Sequence, residues 1–165
     1  MISSEMIAKI QDKIHSTMKE MLGSEYNNDT KVSFRKDMKS VAGYAYQYQN
    51  RIELNEQLFE SNQETFFSRT IPHECAHLIQ KRLYPQAKQA HGPEFRSILR
   101  CLGADTSTRH QMDVSVAYGK PMYQYKCSCD RVLNLTKLIH TRVQSGSSRH
   151  CKACKTIISF IGMSK

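Results

Sequence analysis

Ile71-Pro72-His73-Glu74-Cys75-Ala76-His77-Leu78 carries the pattern His-Glu-x-x-His. On a helix, residues four apart share a face. His73 and His77 can therefore turn their imidazoles toward one ion. Glu74 is adjacent in sequence but angled aside, so it reaches a water on that ion rather than the ion itself, which is the zincin arrangement. Leu78-Ile79 give the same helix a buried face. Pro72 cannot donate its ladder hydrogen bond, so a bend or restart is expected just before the pentad.

Working outward, Ser61 or Asn62 is the expected cap of this helix, which runs to about Leu83 and stops at Tyr84-Pro85. Strand-like runs precede it at Lys31–Arg35, Val41–Tyr48 and Arg51–Leu54. The last two predict a hairpin turning at Gln49-Asn50. Residues 3–22 place Met6, Ile7, Ile10, Ile14, Met18, Met21 and Leu22 at helical spacing, with Gly23 as the stop. Gly92-Pro93 opens a further helix through Phe95, Ile98, Leu99 and Leu102 that Gly103 closes. Met112, Val114, Val116 and Tyr118 alternate as in a strand, and Gly119-Lys120-Pro121 reads as a linker. Two domains are expected, residues 1–118 and residues 119–165. The fold class is α+β: a zincin-like domain with a small antiparallel β-sheet, followed by a β-rich zinc ribbon.

A third metal ligand must follow the pentad. Metzincins place it six residues after the second histidine, where this chain has Leu83, so that subclass is excluded. His91 lies in His91-Gly92-Pro93-Glu94-Phe95, and Glu94 is the competing ligand. His91 is preferred. Gly92 permits a tight backbone beside it, and Glu94 suits the first turn of the next helix. Three neutral imidazoles leave Zn²⁺ its full charge and one open position, where the pKa of a water falls to about 7. Glu74 would take the proton, the hydroxide would attack a carbonyl, and Glu74 would return the proton to the leaving amine. The sequence identifies no oxyanion-stabilising side chain: His110 and nearby tyrosines are candidates, but a lone histidine is more often structural. An extended substrate could pair with a sheet edge in residues 41–54.

A second cluster is built for an inert ion. Cys127, Cys129, Cys151 and Cys154 supply four thiolates, and residues 130–150 between the pairs have the length of a ribbon hairpin. Cys127-x-Cys129 is a tight spacing, so His140 or His150 is an alternative ligand in place of one thiol. Cys75 and Cys101 stand apart and read as buried free thiols.

Charge separates the two regions. Residues 1–117 hold 15 Lys/Arg and 14 Asp/Glu, while residues 118–165 hold 9 Lys/Arg against Asp130 alone. A near-neutral body with a basic second domain points to a polyanion partner, DNA or RNA. Lys126, Arg131, Lys137, Arg142, Arg149, Lys152 and Lys155 surround the cysteines, and Tyr123 and Tyr125 precede them. Cations beside aromatics suit single-stranded or distorted nucleic acid. In a small zinc module, however, such tyrosines more often form the core. The 165 residues are 39% hydrophobic, which suffices for a core of ordinary size. No run is long enough to span a membrane, and no secretory signal is visible near Met1. The expected location is therefore the cytoplasm, with nucleoid association a further expectation, where clustered cysteines bind metal rather than pair.

Taken together, Ile71–Leu78, His91-Gly92, Tyr125-Lys126-Cys127-Ser128-Cys129 and Arg149-His150-Cys151-Lys152-Ala153-Cys154 resemble the bacterial SprT family. Ala42-Gly43-Tyr44-Ala45-Tyr46, then Arg51-Ile52-Glu53-Leu54-Asn55, resemble that family's strand pair before the catalytic helix. The resemblance implies a zinc metalloprotease related to Spartan, the eukaryotic protease that cleaves proteins crosslinked to DNA. It implies that His73, His77 and His91 bind zinc, that Glu74 is catalytic, and that the ribbon accompanies the protease. Two other readings stay open on the residues alone. One is a non-enzymatic nucleic-acid-binding or transcription-associated protein with a gated or inactive site. The other is a zinc hydrolase acting on a non-peptide bond.

Overall fold

The computed structural model describes residues 2–107, 110, 112, 114, 122–129 and 131–163. The chain divides into two compact units, Met1–Met112 and Asp113–Lys165. Apart from Met112 and Val114, the alternating strand expected over 112–118 lies outside the described residues. So do the linker at 119–121 and the boundary after residue 118.

The first unit opens with helix α1, Ser4–Leu22. Ser3 caps it, its hydroxyl accepting the Met6 N–H at 3.2 Å, and Gly23 at φ 60° ends it. Its buried stripe of Ile10, Ile14, Met18 and Leu22 lies against the helix that carries the pentad. Each such side chain contributes about 1.5–3 kcal/mol when fully buried.

Three strands follow: β1 Lys31–Arg35, β2 Gly43–Tyr46 and β3 Arg51–Asn55. The hairpin of β2 and β3 forms as expected, with Gly43 opposite Leu54 and Tyr46 opposite Arg51. Asn50 takes the left-handed conformation in its turn, φ 47°, which asparagine tolerates. The sheet is not purely antiparallel, because β1 pairs in parallel with β3 in the order β1-β3-β2. The reason is burial. Ile52, Glu53, Leu54 and Asn55 are all buried, so β3 takes the centre and needs a neighbour on each side.

The helical stretch also differs from expectation. Asn62 stands at the cap position before Gln63, as expected, but its side chain makes no capping bond, and a further helix precedes it. Asn55, fully buried, caps a preceding helix α2, Glu56–Ser61, by accepting the Leu58 N–H at 3.2 Å. Its amide donates to the carbonyls of Lys39 and Val41 at 3.0 and 2.9 Å, so one side chain ties the chain before β2 to the helix after β3. Asn62 spends its amide on the Leu58 carbonyl at 2.8 Å instead. A one-turn helix α3, Gln63–Thr65, leads into a π-helical turn, Phe66–Thr70, and then α4, Ile71–Leu83. The wide turn sits where Pro72 withholds its N–H from the preceding turn, so the expected irregularity takes the form of a π segment. Helix α5, Pro93–Cys101, starts on proline and buries Phe95, Ile98 and Leu99. Helix α4 packs on α1, α5 and β2.

The second unit is a three-stranded antiparallel sheet, order β5-β4-β6, with β4 Tyr123–Lys126, β5 Val132–Leu135 and β6 Ser159–Met163. Helix α6, Lys137–Gln144, follows β5. Tyr125, Cys127, Cys151 and Ile158 form its small core, with Tyr123, Leu133, Leu135 and Val143 packed around them. No helix among the described residues is long and apolar enough to cross a membrane.

Candidate metal centres

Helix α4 presents His73 and His77 on one face, their ring centroids 5.0 Å apart. His91 comes from the loop before α5. That loop is tethered by the buried Gln80 side chain, which donates to the Gln89 carbonyl at 3.0 Å. The Nε2 atom of His91 lies 3.2 Å from that of His73 and 3.1 Å from that of His77. Zinc–nitrogen bonds of about 2.0–2.1 Å imply tetrahedral nitrogen–nitrogen edges of about 3.3 Å. The three nitrogens are thus spaced as ligands of one such ion.

The electrostatics suit the same role. Burial lowers the pKa of His73 to about 4, assisted by the neighbouring His91 and Arg69 and opposed by Asp105. Burial lowers that of His77 to about 3, with His73 and His91 adding to it. Burial and then Arg96 lower that of His91. All three are therefore neutral at physiological pH, the form that binds metal.

Phe95 is a part of the site that the sequence pattern did not single out. It is fully buried, and its ring centroid lies 4.9, 4.4 and 4.8 Å from those of His73, His77 and His91. It forms the floor on which all three imidazoles rest. The only available signal was its place in the first turn of the helix after His91. Glu94 sits in that first turn too, outside the three-histidine group. Gly92 has extended backbone, φ −73° and ψ −170°. It is small for clearance rather than for a tight turn: a Cβ there would lie 3.0 Å from the Glu94 carboxylate and 3.3 Å from the Gln89 carbonyl.

Glu74 is 7% exposed and faces β2. It accepts a hydrogen bond from the Ala45 backbone N–H, yet burial prevails and raises its pKa to about 8. Gln47 reaches the same helix, donating to the His77 carbonyl at 3.1 Å. His110 donates from Nε2 to the Ser40 carbonyl at 2.8 Å. The free Cys75 is fully buried, and burial pushes its thiol well up, which makes it inert. Cys101, expected to be buried, is exposed at the end of α5.

In the second unit, the sulfurs of Cys127, Cys129, Cys151 and Cys154 lie within 4.8 Å of one another. Cys129 Sγ stands 3.8 Å from that of Cys151, which is the edge of a zinc–thiolate tetrahedron with bonds of about 2.3 Å. Backbone N–H groups of Cys154 and Ala153 hold the Cys151 thiol down. The Thr156 hydroxyl, then its N–H, lowers that of Cys154 to about 5. The turn closes through Lys155 at φ 61°, whose N–H donates to the Cys151 carbonyl at 2.9 Å. Cys129 is raised to about 12, chiefly by its own thiol hydrogen-bonding to Cys127 at 3.1 Å.

The structure brings neither alternative histidine into this group. His140 stacks on Tyr123 at 3.8 Å and its Nδ1 shares a hydrogen bond with the Tyr125 hydroxyl at 3.0 Å. His150 is exposed and paired across a bridge with Ile157. Tyr125 is 1% exposed and belongs to the core. Lys126, Arg131, Lys137, Arg142, Arg149, Lys152 and Lys155 are all exposed.

Comparison with known proteins places the chain in a family. The model of the SprT-like family matches residues 8–116. Protein SprT of Vibrio parahaemolyticus is 33% identical over 125 residues, 74% of each chain. Protein SprT of Pseudomonas putida strain F1 is 34% identical over 123 residues, 73% of this chain and 74% of that one. That of Glaesserella parasuis is 34% identical over 118 residues, 71% of this chain and 74% of its own. No solved structure matches. The chain belongs to the SprT-like family, with an α+β fold and a C-terminal cysteine cluster consistent with a zinc ribbon.

Proposed function

We propose that this protein is a zinc-dependent endopeptidase acting on nucleic-acid-associated proteins, including proteins crosslinked to DNA. The observation that carries the reading is the convergence of three neutral imidazoles, with a buried carboxylate one residue from the first of them. His73, His77 and His91 would hold one zinc, and Cys127, Cys129, Cys151 and Cys154 a second, structural one.

In the histidine site a zinc ion supplies Lewis acidity, which lowers the pKa of a water to about 7 and polarises a carbonyl. Glu74 does the proton work. Buried one residue from His73 and held by the Ala45 N–H, its carboxylate would take a proton from the attacking water and pass it to the leaving amine. Phe95 fixes the imidazole planes and keeps water from beneath them. Strand β2 stands at the sheet edge beside α4. The Asn55 N–H donates to the Ala42 carbonyl, so by alternation the amides of Gly43 and Ala45 point away from β3; that of Ala45 is taken by Glu74, and that of Gly43 faces the edge. An extended peptide chain laid along that edge would bring its carbonyl to the histidine site.

The exposed cations of the second unit, with nine Lys/Arg against one Asp over residues 118–165, support a nucleic-acid partner. Tyr125 is part of the core, so the contact proposed is to phosphate rather than by stacking on that ring. The test is to incubate the zinc-loaded protein with a DNA-binding protein, alone and with single- or double-stranded DNA. Cleavage that requires DNA supports the whole reading. Salt-dependent DNA binding without cleavage under any condition replaces it with a non-enzymatic binding role.

A further inference from the structure

Gly43 sits in β2 opposite Leu54, with no left-handed backbone to require glycine. Glycine in a strand weakens it, so its presence needs another cause. A Cβ built there would lie 2.8 Å from Glu74 Cγ, 3.0 Å from Oε1 and 3.1 Å from Cδ. Its three nearest neighbours all belong to one side chain, and real Cβ atoms essentially never approach to 2.8 Å. Glu74 cannot yield easily. It is 7% exposed on a helix packed against α1, α5 and β2, and its carboxylate accepts the Ala45 N–H two residues along the same strand.

We infer that Gly43 is a positioning residue for Glu74: its bare Cα, with the Ala45 N–H, forms the seat that sets where the carboxylate lies. Strand β2 then does two jobs. Its bare Cα at Gly43 leaves room for the proton-transfer group, and its outward Ala45 N–H holds that group's carboxylate. The inference rests on the proposed catalytic role of Glu74 only for its effect on turnover, because the contact itself is a matter of packing.

The test is a double-mutant cycle on the full zinc-loaded chain, comparing Gly43→Ala with Glu74 intact and in a Glu74→Ala background. Overpacking of a tight contact costs enough to lower the melting temperature by about 5 °C or more. That drop is expected with Glu74 present and should vanish with Glu74→Ala, which removes all three crowded atoms. Failure of Gly43→Ala to fold with Glu74 present, but not without it, has the same meaning. An equal loss in both backgrounds overturns the inference, since the glycine would then serve the strand alone.

On a DNA-binding protein with DNA present, Gly43→Ala should lower kcat about 100-fold, with KM and zinc content unchanged. Unchanged kcat overturns the positioning role even if the stability coupling is present. If Glu74→Gln cleaves as fast as wild type, the catalytic role of Glu74 falls, while the melting cycle still decides the contact.

Discussion

The Nε2 atoms of His91 and His77 stand 3.1 Å apart, although one is carried by a helix and the other by the loop that follows it. Two neutral imidazole nitrogens at that distance, with a third 3.2 Å from His91, satisfy one another poorly but suit a shared cation. His91→Ala should reduce bound zinc from two ions per chain to one. Metal analysis after dialysis reads this directly, and two retained ions would mean that His91 is not a ligand.

Phe95 touches all three imidazoles without offering a ligand atom. Phe95→Ala removes the floor and frees the rings to rotate. Loss of supporting contacts of this kind costs about 10–100-fold in metal affinity. Competition with a chelator measures it. A destabilised fold with unchanged affinity would show that the ring serves the core and not the site.

The metal-free protein should be least stable at both ends of the pH range. Glu74 is raised from 4.5 to about 8, so the folded state binds the extra proton between those values, and that stability is lost as pH rises toward 8. His73 and His77 are lowered from 6.5 to about 4 and about 3, so the unfolded state takes the protons below pH 6.5, and stability falls with pH there. Glu74→Gln removes the alkaline arm, on the order of 3 kcal/mol by pH 7. Melting curves of chelator-treated protein between pH 5 and 8 should therefore diverge, with wild type losing more. Parallel curves would contradict the burial account of Glu74.

Asn55 joins three segments through one buried side chain. Asn55→Ala leaves two carbonyls and a helix N-terminus without their partner, which costs about 2–4 kcal/mol. Denaturant unfolding measures the loss, and a change below about 1 kcal/mol would show that the cap is dispensable.

The histidine site was largely legible because its chemistry is local. Four-residue spacing places His73 and His77 on one face, and exclusion of Leu83 left His91 or Glu94 as the third ligand. The cysteine group was legible as four thiols, but whether His140 or His150 entered it depended on side-chain packing. Tyr123 and Tyr125 engage His140, which no spacing rule reveals. The same holds for the parallel pairing of β1 with β3, and for Asn55, whose partners at Lys39 and Val41 are distant in sequence. Gly43 read only as part of a strand. Its contact with Glu74 exists because the sheet and α4 meet, and no pattern within either segment encodes it.

The most direct test of the central claim compares zinc-loaded wild type with Glu74→Gln on a DNA-bound protein, identifying new N-termini by mass spectrometry and zinc content in parallel. The account predicts two zinc ions in both proteins and cleavage by wild type alone. Cleavage by Glu74→Gln at the wild-type rate, or none by either with zinc in place and DNA present, would contradict it.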